Sequence, residues 1–391
     1  MKRCSMMALI CGILLLLTAC ADPQSSNAAL DEEELVVHDT HSDDGCNIVG
    51  ISMPSQSLER WNRDGMFLKR QFEEAGCEVI LSYGNDLIDE QIDGIEEMID
   101  AGADLLIITP IDASSLESVV KKAAEAAIPV ISYDRLILRS PYIDYYVSFD
   151  NYKVGELQGQ FIRDQLDLEH AGGNTYNIEL VAGDPADNNA QFFYNGAYDI
   201  LSPYIEAGTL HVPSGQKDFY QTATSSWSKE LAKERFEGIL NSYYVNGKEL
   251  HAVCCANDAT ALGVEEAIDE DYKGTNQIII TGQDADEANL KNIVAGKQTM
   301  TVYKALSNES IVTLSLGMAI LGGETPGEEL IGNSSWDFQC AFDASSYDNG
   351  KKVVSSYLLV PVVITKENMR KELVETGYYT EDEEGELHAV E

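Results

Sequence analysis

The sequence predicts an α/β protein built as two doubly wound lobes, each a mostly parallel sheet with helices on both faces. Three observations predict it. Short apolar runs alternate with helical stretches along the chain. The runs are nearly continuous in apolar residues rather than alternating with polar ones, the pattern of strands covered on both sides. The alternation comes as two successive series within 391 residues, of which 44% are hydrophobic, enough for two lobes of ordinary size.

In the first series "CNIVGISM" (46–53) precedes a helix over about 57–75, and "CEVILSY" precedes one over 86–101. "DLLIITP" precedes "SSLESVVKKAAEAA", where Ser114 or Ser115 is the expected N-cap. "IPVISYDR", "YYVSFD" and a helix from Tyr152 follow. The second series runs from "YNIELVAGD" through helices near 188–203 and 226–241, then "HAVCCAND", "QIIITGQD" and "TMTVYK", with helices from Ala259 and Glu287 between them. No short-period repeat points to a solenoid.

The ends read differently. Lys2 and Arg3 precede "MMALICGILLLLTAC", an apolar run too short to span a bilayer and shaped like the core of an export signal. It closes on Leu17-Thr18-Ala19-Cys20, which resembles the lipobox of bacterial lipoproteins. That resemblance implies cleavage before Cys20 and lipidation of its thiol, hence an anchor on the outer face of a membrane, each buried methylene contributing about 0.8 kcal/mol. Residues 21–45 are acidic and polar, a flexible spacer. Residues 371–391 are expected to be an acidic tail, loose over 378–391.

Composition excludes some functions. A formal net charge of −40 repels a phosphate backbone, and no basic stripe offsets it, so nucleic acid is not the partner. There is no GxxxxGK[ST] or GxGxxG loop and no HExxH, and His38 and His41 sit in the spacer, so neither a cofactor nor a metal is expected. Beyond Cys20, the cysteines at 46, 77, 254, 255 and 340 are too widely spaced for a disulfide framework; one pair remains open, and Cys254 and Cys255 read as small core residues.

The polar residues collect where the apolar runs stop. In open parallel sheets that edge, beyond the carboxyl ends of the strands, is where ligands sit. Asp, Asn, Gln, Arg and Lys recur there, with Trp61 and Trp227 nearby. Carboxylates accept, cations donate and amides do both. Many donors and acceptors beside flat aromatic faces suit a sugar.

Taken in order, "LERW" (58–61), "SYDR" (132–135), "SFDN" (148–151), "DNNA" (187–190), "ANDATA" (256–261), "GQDAD" (282–286) and "TMTVYK" (299–304) resemble the periplasmic sugar-binding proteins of the type I fold, in particular the branch of xylose and multiple-monosaccharide receptors. The resemblance runs from about Asn47 to Tyr303 and more weakly to about 370. It implies two lobes joined by a three-strand hinge. The expected extents are 46–150 with about 304–345 for the first lobe, and 151–303 with about 346–370 for the second. It implies that Arg60, Arg135, Asn189, Asn257, Asp284 and Lys304 hydrogen-bond a monosaccharide, with Asp187 beside them, while Trp61 and Trp227 clasp the ring. Asp134 is expected to orient Arg135, Asp258 to cap a helix, and Asp150 and Asn151 to serve the hinge or a cap. Trp336 has no expected place.

The function implied is a non-catalytic, lipid-anchored, monomeric receptor that passes a monosaccharide such as xylose to an ABC permease. Two alternatives remain: a sensory subunit reporting sugar occupancy to a membrane signalling receptor, and a secreted glycosidase using Asp187 and Asp284 as its carboxylate pair.

Overall fold

The computed structural model describes residues 46–383 and 385–390. The export signal, the lipobox with Cys20 and the spacer therefore lie outside the described residues. From the amino end, β1 (Ile48–Met53), α1 (Glu59–Glu74), β2 (Glu78–Tyr83), α2 (Ile88–Asp100), β3 (Leu105–Ile108), α3 (Glu117–Glu125), β4 (Val130–Tyr133) and β5 (Tyr145–Phe149) form the first series. The second comprises α4 (Asn151–Gln165), β6 (Tyr176–Val181), α5 (Asn188–Glu206), β7 (Leu210–His211), α6 (Phe219–Thr222), α7 (Lys229–Tyr243), β8 (Ala252–Cys255), α8 (Asp258–Asp271), β9 (Ile279–Ile280), α9 (Glu287–Ala295) and β10 (Thr301–Tyr303). Then come α10 (Leu306–Leu321), α11 (Glu329–Asn333), β11 (Cys340–Asp343), β12 (Ser355–Leu359), β13 (Val362–Ile364), β14 (Tyr379–Glu381) and β15 (Leu387–Ala389).

The first lobe is a seven-stranded sheet ordered β11-β12-β5-β4-β3-β1-β2, parallel except at its β11 edge. Its central strands show why their sequences are continuously apolar. Leu105 and Ile107 of β3 point into one core with Val49, Ile51, Phe72 and Leu316, while Leu106 and Ile108 point into another with Ile95, Met98 and Val119. None of the four β3 side chains is exposed. The second lobe has a four-stranded parallel sheet ordered β7-β6-β8-β9. Backbone bonds extend it: Asp284 N–H donates to Val302 O and Val302 N–H to Gly282 O, which brings in β10 and its antiparallel partner β13. Helices α4 and α5 pack backbone to backbone. A Cβ at Gly155 would fall 2.0 Å from the Phe193 carbonyl oxygen, so no larger residue fits.

The chain crosses between the sheets three times, at 149–151, 303–306 and 359–362. The first crossing enters α4 through Asp150, whose side chain accepts from Lys153 N–H as an N-cap.

Four expectations need correction. First, residues 355–359 do not join the second sheet: β12 pairs in parallel with β5, Ser355 against Tyr145 through Leu359 against Phe149, and the return falls after Leu359 rather than near 346. Second, the end expected to be loose, from 378 on, is ordered where described. Strands β14 and β15 pair, and Leu373, Tyr379 and Leu387 are buried in a cluster with Leu290, Ile293 and Tyr303. Third, neither Ser114 nor Ser115 caps α3. The helix begins after Leu116 without a side-chain cap, and Ser115 Oγ donates to Asp112 instead. Fourth, Trp336 has a place: it stacks on Phe338 at 5.6 Å and packs against the first lobe's core. The five described cysteines are free thiols. Among the described residues no helix is long and apolar enough to cross a membrane.

Candidate ligand-binding site

Strand β4 ends at Tyr133, and the next residue turns the chain sharply. Asp134 has φ 56°, and Arg135 N–H donates to Tyr133 O at 2.6 Å across it. Aspartate tolerates this left-handed backbone better than most residues. Three donors fix the Asp134 carbonyl: Tyr146 Oη at 2.7 Å, Ser148 Oγ at 2.8 Å and Asn189 Nδ2 at 2.7 Å. The last comes from the second lobe, so this turn is already a junction between lobes.

Its side chain meets Arg60 from the first turn of α1. Arg60 donates through Nη2 to Asp134, through Nε to Asp64 at 3.1 Å and through Nη1 to Asp284 at 3.2 Å, and Glu309 lies 3.5 Å from Nη2. Lys304 adds a second cation, 3.4 Å from Asp134 and 3.6 Å from Asp284. Burial opposes the charge on Arg60, but Asp134 and the three other carboxylates outweigh it and hold the pKa well above its ordinary value. Burial likewise opposes the charge on Asp134, and there Arg60 and Lys304 win, lowering it to about 2. Glu309 goes the other way. Burial, then Asp134 and Asp64, push its pKa well up, and neither of its oxygens has a hydrogen-bond donor among the described residues.

Arg135 faces the second lobe. Its Nε lies 2.8 Å from Asp187 Oδ2, an ion pair whose angle leaves the N–H without an aligned acceptor, and Nη1 donates to Pro110 O at 3.2 Å. Asp134 was expected to orient Arg135; its direct partners are Arg60 and Lys304 instead, and Arg135 is paired to Asp187.

On the second lobe the polar residues are helix starts. Asp187 caps α5 by accepting from Asn189 N–H at 2.9 Å. Asn257 caps α8: Oδ1 accepts from Thr260 N–H at 3.0 Å, and no protein partner holds Nδ2 among the described residues. The expected cap therefore moves by one residue, from Asp258 to Asn257, which also lines the cleft. Asp258 is no cap; it is fully buried and accepts from Asp286 N–H, Gln298 and Thr301. Asp284 sits at φ 99° on the turn after β9, a strained conformation for any residue with a Cβ.

Two indoles complete the walls. Trp61 has the Arg60 and Arg135 guanidiniums at 4.7 and 5.0 Å from its ring, close enough for cation–π attraction. Trp227 lies against Gly183, where any Cβ would come within 2.0 Å of the ring, and meets Phe193 edge-on at 6.2 Å.

All nine side chains expected at the site line one cleft between the lobes: Arg60, Trp61, Arg135, Asp187, Asn189, Trp227, Asn257, Asp284 and Lys304, together with Leu58, Asp134, Phe193, Gln283 and Asp286. Residues drawn from six strand ends converge there. Among the described residues, three buried polar atoms on this lining lack an aligned protein partner: Trp227 Nε1, Gln283 Oε1 and Arg135 Nε. Sequence reasoning missed Asp64, Gln283 and Glu309. Asp64 stands one turn after Arg60, and Gln283 precedes Asp284, so spacing alone could have raised both. Glu309 carried no such signal.

The multiple sugar-binding periplasmic receptor of Rhizobium radiobacter is 40% identical over 338 residues, 86% of this chain and 91% of that protein. The D-xylose-binding periplasmic protein of Escherichia coli is 32% identical over 94% of this chain and 98% of its own length. Among solved structures, an ABC transporter solute-binding protein from Clostridium phytofermentans with bound β-D-glucose superposes with a TM-score of 0.80 at 43% identity, covering 86% of this chain and 99% of that one. The periplasmic binding protein domain matches residues 49–325, and with the two-lobed parallel-sheet architecture and its interlobe cleft this establishes that the chain belongs to the periplasmic binding protein family.

Proposed function

We propose that the protein is an extracytoplasmic receptor that encloses one monosaccharide in this cleft and delivers it to an ABC importer. The observation that carries this reading is the pair of buried polar atoms without a hydrogen-bond partner among the described residues, Trp227 Nε1 and Gln283 Oε1, with Arg135 Nε held only by its misaligned ion pair to Asp187, on a cleft lining that carries two indole faces. A buried polar group without a partner costs about 1–3 kcal/mol, so a ligand that satisfies such atoms gains that much differential stabilisation. A polyol supplies donors and acceptors together and offers its C–H face to an indole. The relatives named above bind sugars, among them glucose and xylose.

The mechanism is closure. Both lobes contribute lining residues, so ligand binding favours the closed state by the bonds that only that state makes. Arg60, Asn189, Asn257, Asp284 and Lys304 bond the hydroxyls, Arg135 with Asp187 selects among epimers, and Trp61 and Trp227 flank the ring. An epimer that leaves one of these groups unpaired is rejected. Asp187 and Asp284 each face a cation at hydrogen-bonding or ion-pair distance, an arrangement for holding hydroxyls rather than for glycoside cleavage. The family is one of binding proteins, which supports a non-catalytic role. Lipidation at Cys20 would tether the receptor to the outer face of the membrane beside its permease; Cys20→Ser should release it into the medium.

Calorimetry against aldopentoses and aldohexoses, D-xylose and D-glucose first, tests the reading. A ligand at 100 times its Kd raises stability by about 2.7 kcal/mol, visible as a higher Tm. Trp227→Ala should weaken binding and abolish the ligand-induced change in indole fluorescence. Absence of binding by every aldose would overturn the proposal.

A further inference from the structure

We propose that Tyr379, in the hairpin that ends the described chain, is a positioning residue for Asp284 and a bond between the lobes. The inference rests on the reading of Asp284 as a ligand-binding group. Two consecutive residues, Asp284 at φ 99° and Ala285 at φ 56°, hold a left-handed backbone that side chains disfavour, so the turn persists because its surroundings impose it. Its amides are held from behind: Asp284 N–H by Val302 O at 2.9 Å, Ala285 N–H by Thr301 Oγ1 at 3.3 Å and Asp286 N–H by Asp258 Oδ2 at 2.9 Å. The Ala285 carbonyl is held from the front, by Tyr379 Oη at 2.6 Å.

The same hydroxyl accepts from Arg63 Nη1 at 2.9 Å, and Arg63 Nη2 reaches Asp286 at 3.3 Å. Arg63 lies on α1 three residues beyond Arg60. One phenol oxygen therefore links the first-lobe helix that carries Arg60 and Trp61 to the second-lobe turn that carries Asp284. The hairpin is anchored separately: Ala389 N–H donates to Glu287 at 3.0 Å, and Leu387 and Tyr379 are buried beside Leu290. Asn308 Nδ2 donates to Tyr378 Oη at 2.7 Å, a second bond from the hairpin to the first lobe. Separating the lobes breaks the bonds that cross between them, so the hairpin favours closure while it fixes the geometry of the site.

Tyr379→Phe in the full chain keeps the ring and removes the oxygen. In the ligand-free protein, amide hydrogen exchange of a peptide spanning 283–286 is expected to quicken several-fold, with the rest of the second lobe unchanged. Affinity for D-glucose or D-xylose, whichever the wild type binds, is expected to fall about 2- to 10-fold, mainly through faster dissociation. Arg63→Met, which spares the Ala285 bond, is expected to speed dissociation without changing exchange at 283–286. Unaltered exchange in Tyr379→Phe overturns the positioning role, and unaltered affinity with a lowered Tm reduces Tyr379 to a structural residue. Should the wild type bind neither sugar, the ligand reading of the cleft fails, and the exchange difference still decides whether Tyr379 holds the turn.

Discussion

On the first lobe's wall of the cleft, the polar side chains hold one another. Arg60 is ringed by Asp64, Asp134 and Glu309, joined by Asp284 from the second-lobe turn, and Lys304, from the crossing at 303–306, shares Asp134 and Asp284 with it. On the second lobe's wall, side chains are held by backbone: Asp187 and Asn257 each commit one oxygen to a helix N-terminus, and Asn189 reaches across to the Asp134 carbonyl. Rigidity is obtained in one case from mutual charge and in the other from capping. A charge network fails as a unit when one member is removed, whereas a cap fails locally. The two walls should therefore answer mutation differently.

The largest effect is expected at Arg60. Arg60→Met leaves three buried carboxylates and the partly buried Asp284 with Lys304 as the cation among them, and removing one partner of a buried network costs about 3–5 kcal/mol. Denaturant unfolding should show that loss, together with no measurable sugar binding. Destabilisation below about 1 kcal/mol would mean that the network does not hold the first wall. Next comes Arg135→Ala, which is peripheral to that network. Its partner Asp187 already has a pKa raised by burial, more than Arg135 offsets, and can take up a proton when the guanidinium is gone. The fold should survive while affinity falls at least about 100-fold, since truncating one side of a buried pair costs about 2–5 kcal/mol of binding. Unchanged calorimetric affinity would remove Arg135 from the site.

The contrast also explains what the sequence could and could not convey. Strands such as Leu105–Ile108 are legible because a strand covered on both faces must be apolar at every position. The cleft residues are legible because in such sheets polar residues at the strand ends have one place to go. Partners are not, because Arg60 meets Asp134 and Asp284 across 74 and 224 positions, and no local pattern encodes that. Nor is the atom that a residue commits: Asn257 and Asp258 are both good caps in isolation, and the register of α8 decides between them. The hairpin at 379–389 was illegible for a further reason. Its strands are three residues each, separated in sequence by an acidic stretch, and its burial rests chiefly on Tyr379 and Leu387.

Opposite pH responses sharpen the comparison. Asp134, held at about 2 by its cations, contributes stability that is present above the unfolded carboxylate range and lost as pH falls toward 2. Glu265 on α8 is buried, has one oxygen without a donor, and accepts from Asn292 at the other. Burial raises its pKa to about 7, more than Asn292 and Lys297 offset. Its sign is therefore reversed: the charge costs stability increasingly as pH rises from about 4.5 through 7. Glu265→Gln should stabilise the protein by about 1–3 kcal/mol at pH 8 and by almost nothing at pH 4.5. Equal effects at both pH values would show that the carboxyl is not charged at a cost in the folded state.

The smallest effects, at Asn257, separate the two uses of a capping residue. Asn257→Asp keeps an oxygen for Thr260 N–H and removes the amide donor that has no protein partner; it should preserve stability and weaken sugar binding about tenfold. Asn257→Ala removes both, and should add a loss of about 1 kcal/mol in stability to a similar loss of affinity. If the two variants bind equally and differ in Tm, cap and ligand contact are independent functions of one side chain, carried by different atoms. If Asn257→Asp binds like the wild type, Asn257 serves the helix alone, and the second wall of the cleft presents one donor fewer than the geometry implies.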